Sequence, residues 1–348
     1  MPKAVTCVSV SVSGYRLTSE QHVVGGTGTG LRARIGFPRL PMPGASRIEA
    51  PRHEGVIRVG RRRVLGYAEF GDASGRLVLW HHGTPGARRQ IPVAARRAAE
   101  RLGLRLVSVE RPGVGDSTEH RYQCIRDWAE DAATVVDHLG HDRFAAVGLS
   151  GGGPYALACA HELPDRVTVV GLLGSVAPVV GPNAAPGSSI VGLAVTFQGI
   201  LDPLRSVLGA GIWLALQPLI PIGHFALRLY ASHMPEGDQK VFADPEMEAM
   251  FLDDIANARH RRFSAVVHDV ALFGRPWGFD LSDIHVPVFW WHGDADNIVP
   301  LEHAEHSVAL LRACEFAVRP AESHLGGFAA ADVVLETLAN AWNEPPTA

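Results

Sequence analysis

The chain has only four cysteines in 348 residues, Cys7, Cys124, Cys159 and Cys314, far apart and with no C-x-x-C pair. That spacing excludes a disulfide framework, offers no zinc-ligand pattern, and fits a reducing cytoplasm. An excess of one charge is also lacking. Against 32 Lys and Arg stand 36 Asp and Glu, a formal net charge of −4, so the balance singles out no charged partner. The apolar stretch near the start, AVTCVSVSVSG, alternates with serine, which is not the continuous core of a secretory leader. The glycines of GGTGTG at 25–30 are followed by a proline-rich segment. A dinucleotide fingerprint would need a helix to begin there, so no nucleotide cofactor is indicated.

What is present is apolar and globular. Hydrophobic residues make up 47 % and charged residues 20 %, enough for a full core in one large domain or one domain with an insertion. The charge is uneven, since residues 1–63 carry eleven Lys and Arg against three acids. Residues 1–54, rich in Gly, Pro and Ser, read as a disordered N-terminal extension, outside the natural protein if the start site is placed too far upstream. An Arg-rich, acid-poor start is also the composition of a transit peptide. No aromatic residues interleave the arginines, so nucleic acid is not an expected partner.

From residue 56 the pattern turns regular. VIRV (56–59) and VLGYAEFG (64–71) read as a hairpin. LVLWHH (77–82), LRLVSVE (104–110), RFAAVGLS (143–150), RVTVVGLLGS (166–175), VPVFWWHG (286–293) and CEFAVRP (314–320) read as apolar strands. Helical patterns lie between them: 88–103, IRDWAEDAATVVDHLG, a segment from Ala156 to Leu163, another from Leu301, and a last one near 329–342. Unbroken apolar strands alternating with helices predict an α/β fold with a mostly parallel, doubly wound sheet covered on both faces.

The alternation stops between 178 and 282, where helical segments are broken by prolines. The expected organisation is therefore a core in two parts, 55–177 and 283–348, around an inserted helical cap at 178–282. Inside that insertion, SVLGAGIWLALQPLIPIGHFAL (206–227) contains no Asp, Glu, Lys or Arg. Two prolines and the absence of basic asymmetry argue against a membrane span and for a buried or lipid-facing lid helix.

Chemistry concentrates where the strand 143–150 ends. Gly148-Leu149-Ser150-Gly151-Gly152 matches G-x-S-x-G at a strand-to-helix turn. A nucleophile projected from so sharp a turn leaves no room for side chains on its neighbours, which explains the glycines. A serine hydroxyl needs a base and an orienting acid. Asp294 and Asp296 follow the strand 286–293, and His324 follows the strand 314–320. The loop His82-Gly83-Thr84-Pro85-Gly86 follows the strand 77–82, and Arg111-Pro112-Gly113-Val114-Gly115 follows 104–110. His81 and His82 have no carboxylate or cysteine partner at ligand spacing, so no metal site is expected.

Residues 56–348 resemble the α/β-hydrolase fold superfamily, serine hydrolases with a helical cap. The order Ser…Asp…His is the one found there. The resemblance implies a triad of Ser150, Asp296 and His324. Asp296 is preferred to Asp294 because Gly293 to Pro300 fits the family's G-x-x-D-x-x-V-P turn. It further implies that the backbone N–H groups of Thr84 and Gly151 form an oxyanion hole, supported by His82, Gly83, Gly148 and Gly152, and that Arg111 to Ser117 shapes the site. The expected activity is cofactor-free hydrolysis of a carboxylic ester with a hydrophobic part, the partner being that small molecule, with weak lipid contact through the cap. A prolyl aminopeptidase, a carbon–carbon bond hydrolase, a cofactor-free haloperoxidase and a non-catalytic ligand-binding protein remain open on the same residues.

Overall fold

The computed structural model describes residues 48–186, 231–258 and 263–342, with scattered positions between 199 and 229. The first 47 residues of the expected extension, and half of the apolar stretch 206–227, lie outside the described residues.

Eight strands form one sheet in the order β1-β2-β4-β3-β5-β6-β7-β8. They are β1 (His53–Val59), β2 (Arg63–Gly71), β3 (Arg76–His81), β4 (Leu104–Val109), β5 (Phe144–Leu149), β6 (Val167–Leu173), β7 (Val288–Gly293) and β8 (Cys314–Arg319). The pairs β1–β2 and β2–β4 are antiparallel, and every later pair is parallel. The chain joins the fold earlier than the expected boundary at 54/55. Arg52 N donates to Glu69 O, its guanidinium pairs with the Glu69 carboxylate, and Arg96 Nη1 donates to Glu49 O.

The unbroken apolar strands are explained by which way alternate side chains point. Leu77 and Leu79 of β3 enter one apolar cluster with Phe144 and Ala146 of β5, while Val78, Trp80, Ala145, Val147 and Leu149 enter the other. Both faces are thus buried, as parallel strands require. The first cluster is covered by α2 (Trp128–His138) and α3 (Gly153–Glu162), and the second by α1 (Val93–Arg101) and α9 (Ala331–Ala341). Helix α1 begins five residues later than its pattern suggested. Pro92 caps it, while Arg88, Arg89 and Gln90 form a loop rich in ion pairs and hydrogen bonds.

Between β6 and β7 the described residues form helices and no strand. They include α4 (Glu236–Ala243), α5 (Pro245–Ala258) and α6 (Ser264–Phe273). These helices share the core's own clusters. Phe242, Met250 and Phe251 belong to one and Leu272 and Phe273 to the other. Each such side chain stabilises the packing by about 1.5–3 kcal/mol when fully buried, so this part of the insertion is anchored to the sheet. Helix α7 (Leu301–Leu310) follows β7, and the short α8 (Gly326–Ala329) precedes α9. No helix among the described residues is long and apolar enough to cross a membrane. Cys124, Cys159 and Cys314 are unpaired thiols, and Cys7 lies outside the described residues.

Candidate active site

Strand β5 ends at Leu149, and Ser150 opens a single 3₁₀ turn that leads into α3. Ser150 has φ +50°, a left-handed conformation that L side chains rarely adopt. Such strain persists where the surroundings hold it, and it lifts the hydroxyl away from the sheet. The flanking glycines are required by close approach. A side chain at Gly148 would run into the Gly153 backbone, and one at Gly152 into the carbonyls of His81 and His82.

Two loops at the same edge of the sheet complete the group. His324, in the loop after β8, has Nε2 2.8 Å from Ser150 Oγ and Nδ1 2.8 Å from Asp296 Oδ2. An ionised carboxylate only accepts hydrogen bonds, so Nδ1 carries the proton and Nε2 is left to accept from the serine. Asp296 Oδ1 accepts the Ile298 and Val299 N–H groups, both at 2.9 Å, and Oδ2 lies 3.3 Å from His292 Nε2. Burial pushes the Asp296 carboxyl up. The electrostatic pull and hydrogen bond of the His324 ring, with His292 and the Val299 N–H, outweigh burial and hold it below the ordinary aspartate range.

Asp294 takes no part in this group. It is exposed, and its Oδ1 accepts the Ala321 N–H at 2.8 Å.

The loop at Gly83 and Thr84 borders the serine. A Cβ at Gly151 would meet Thr84 Oγ1 at 2.6 Å, and one at Gly83 would lie 3.6 Å from Ser150 Cβ. Gln90 grips this loop from behind, accepting the Gly83 N–H at 2.6 Å and donating to Pro85 O at 3.0 Å. The Thr84–Pro85 peptide is cis. His81 and His82 are built into the core. His81 Nδ1 contacts Val147 O and burial lowers its pKa to about 4. His82 Nδ1 contacts Gly83 O, and burial holds its pKa well below the histidine range. Both rings are therefore neutral. Among the described residues no three His, Cys, Asp or Glu side chains stand together so as to hold a metal ion.

Arg111 and Asp269 have a larger structural part than their sequence contexts suggested. Arg111 is 2 % exposed and donates to the carbonyls of His82 (2.6 Å) and Gly83 (2.9 Å) and to Thr84 Oγ1 (2.8 Å). Asp269 of α6, 5 % exposed, pairs with Arg111 at 2.8 Å and accepts from Thr84 Oγ1 (3.0 Å) and Tyr155 OH (2.9 Å). Tyr155 lies on α3, the helix launched by the serine turn, so one carboxylate ties that helix to the Thr84 loop. Changing Asp269 to asparagine leaves the Arg111 charge buried without its counter-ion. The expected cost is about 3–5 kcal/mol, read as a lower urea midpoint with an unchanged slope, and a midpoint equal to wild type would refute it. Nothing in the local sequence of α6 distinguished this aspartate from a solvated one.

The α/β-hydrolase fold model matches residues 76–326, well over half of the chain. The chain belongs to the α/β-hydrolase fold family. It is 28 % identical over 262 residues to a non-heme haloperoxidase of Rhodococcus erythropolis, covering 74 % of this chain and 88 % of that protein. A probable proline iminopeptidase of Leptolyngbya boryana is 30 % identical over 120 residues, 34 % of this chain and 37 % of its own length. Among solved structures, a bromoperoxidase from Bacillus anthracis superposes with a TM-score of 0.60 at 17 % identity, over 84 % of this chain and all of that one. At that identity the likeness speaks for the fold alone. Membership of the family agrees with the eight-stranded, mostly parallel sheet, and makes the protein a hydrolase-family member in its broad class.

Proposed function

We propose that this α/β-hydrolase is a serine hydrolase that cleaves a carboxylic ester with a hydrophobic part through an acyl-enzyme. The observation that carries the reading is His324 standing 2.8 Å from both Ser150 Oγ and Asp296 Oδ2. In the proposed sequence, His324 Nε2 takes the Ser150 proton as Oγ attacks the carbonyl. The Asp296 carboxylate holds the resulting imidazolium. The Thr84 and Gly151 amides would face the oxyanion, each such donor contributing about 10²–10³ in rate. The imidazolium then protonates the departing alcohol, and a water activated by His324 attacks the acyl-enzyme to release the acid. We include weak lipid contact through the cap, because the described Val207, Leu214 and Phe225 are each more than half exposed. A cavity of about 300 Å³ lined by Glu119, His120, Arg121, Arg205 and His268, among others, is polar, and the hydrophobic part of the substrate is not assigned to it.

The direct test is a fluorophosphonate probe, which labels an activated serine. Wild-type protein is expected to be labelled, and folded protein that stays unlabelled would sink the reading. Substrate class follows from p-nitrophenyl esters of graded chain length beside aminoacyl-naphthylamides. Longer chains are expected to turn over faster. Amide cleavage would instead favour a peptidase, the activity that the Leptolyngbya relative's name carries.

A second reading draws on the haloperoxidase relative, whose match covers most of the chain. Hydrogen peroxide attacking the same acyl-enzyme in place of water would release a peracid and regenerate the serine. Halide oxidation that requires both peroxide and a carboxylic acid, and vanishes in Ser150→Ala, would separate this activity from plain ester hydrolysis.

A further inference from the structure

His324 sits in the middle of a loop, and its ring has to meet two partners at once. The loop is tied from several sides. Ala321 N donates to Asp294, Ala295 N donates to Glu322 O, and Gly326 N donates to Ser323 O. One further tie comes from the inserted segment. Asp238 is fully buried in the first turn of α4, where its Oδ2 accepts the Ser323 hydroxyl at 2.9 Å and its Oδ1 accepts the Leu325 N–H at 2.8 Å. The residues immediately before and after His324 are therefore gripped by the two oxygens of one carboxylate. The preceding residue, Gly237, packs so closely on this loop that a Cβ there would stand 2.9 Å from Ala321 O and Ser323 N.

We propose that Asp238 is a positioning residue for His324, so that the inserted segment takes part in setting the geometry of the base. This rests on the serine-hydrolase reading above. With its carboxylate in place, the backbone on both sides of His324 has one position, and the ring inherits it. Without it, the Leu325 N–H and the Ser323 hydroxyl lose their acceptor in a buried place and the loop shifts to find others. A displacement of about 1 Å at a catalytic group costs on the order of 10²-fold in rate. Both oxygens of Asp238 are taken up by the loop that carries His324, so the loss is expected in kcat.

The test compares Asp238→Ala, Asp238→Asn and, as a control on the same helix turn, Glu236→Gln, whose exposed side chain pairs with Lys240. Turnover and the rate of fluorophosphonate labelling are measured per folded molecule, beside the thermal midpoint. Asp238→Ala is expected to lose about 10²-fold in kcat with KM within about threefold of wild type. Asp238→Asn keeps an acceptor for Leu325 N–H and offers an N–H to the Ser323 hydroxyl, which can turn to accept it. It is expected to recover to within about fivefold of wild type. Glu236→Gln is expected to match wild type.

If Asp238→Ala does not fold, Ser323→Ala removes one of the two hydrogen bonds, and an unchanged kcat there overturns the proposal. So does a folded Asp238→Ala that turns over within about threefold of wild type, or one that loses only thermal stability, the signature of a purely structural residue. An asparagine variant as slow as alanine overturns it too, because the charge and not the pair of hydrogen bonds would then be what matters. Wild-type protein that resists the probe would fail the serine-hydrolase reading instead, and that outcome is distinct from labelled wild type with equally labelled Asp238→Ala.

Discussion

Replacing Ser150 by alanine is expected to lower kcat by about 10⁶-fold and to abolish fluorophosphonate labelling. The hydroxyl oxygen is the atom proposed to bond to substrate, and it is the group that His324 Nε2 meets. His324 has one ring nitrogen on Ser150 and the other on Asp296, so its proton transfer has no partner once the hydroxyl is gone. For that reason the double variant Ser150→Ala/His324→Ala is expected to be no slower than Ser150→Ala by more than a few-fold, because groups that act as a unit are lost as a unit. A residual rate above that of water would come from binding and the backbone donors. Strictly additive losses in the double variant, or a Ser150→Ala protein within tenfold of wild type, would rule out the proposed nucleophile. Circular dichroism on each variant checks that the protein has kept its overall fold. Alanine at φ +50° is no more strained there than serine.

The second large effect concerns the acid. Asp296→Asn is expected to cost about 10⁴-fold in kcat, and Asp294→Asn less than about threefold, the range of an exposed substitution. The hydrogen-bond pattern explains the first. Oδ1 of Asp296 faces two backbone N–H groups, those of Ile298 and Val299. An asparagine would keep its carbonyl oxygen on those donors and turn its NH₂ toward His324 Nδ1. A donor there forces Nδ1 to be the acceptor, so the proton moves to Nε2, which can then no longer receive the Ser150 proton. The imidazolium also loses its counter-charge. Asp294 holds only the Ala321 N–H, near the protein surface. Steady-state kinetics on the two variants side by side decides the matter, and the reverse ranking would reassign the acid.

Much of this could be read from residue order. Apolar runs at 77–82, 104–110, 143–150 and 286–293 lead to strands because both faces of a parallel sheet are buried, and the glycines around Ser150 show that backbone approaches closely there. The family's G-x-x-D-x-x-V-P turn favours Asp296 over Asp294, but local pattern could not show the contacts that turn one inward and leave the other exposed. Asp294 and Asp296 lie in the same short turn after β7 and meet the same loop after β8, Asp294 at the Ala321 N–H near the surface and Asp296 at the buried His324 ring. The helix expected to begin at 88 fails for a related reason. Arg88, Arg89 and Gln90 suit a helix by propensity, but Gln90 is needed as an acceptor for Gly83 N–H and the arginines for Glu54 and Glu110.

The sequence by itself determined the alternation of strands and helices, the sharp turn that presents Ser150, and the order in which a serine, an acid and a histidine arrive at one edge of the sheet. These are short-range properties, set by side-chain periodicity and by the space around glycine. Tertiary structure alone decided that Asp296 meets His324, that Asp269 joins Arg111 to Thr84 and Tyr155, and that Asp238 grips both neighbours of His324. Each of the latter two ties spans more than eighty residues, and an aspartate on an amphipathic helix looks the same whether it faces water or a buried hydroxyl. The physical reason is that a carboxylate's effect depends on which donors the fold brings to it and on how little water remains, and neither quantity is written in the residues beside it.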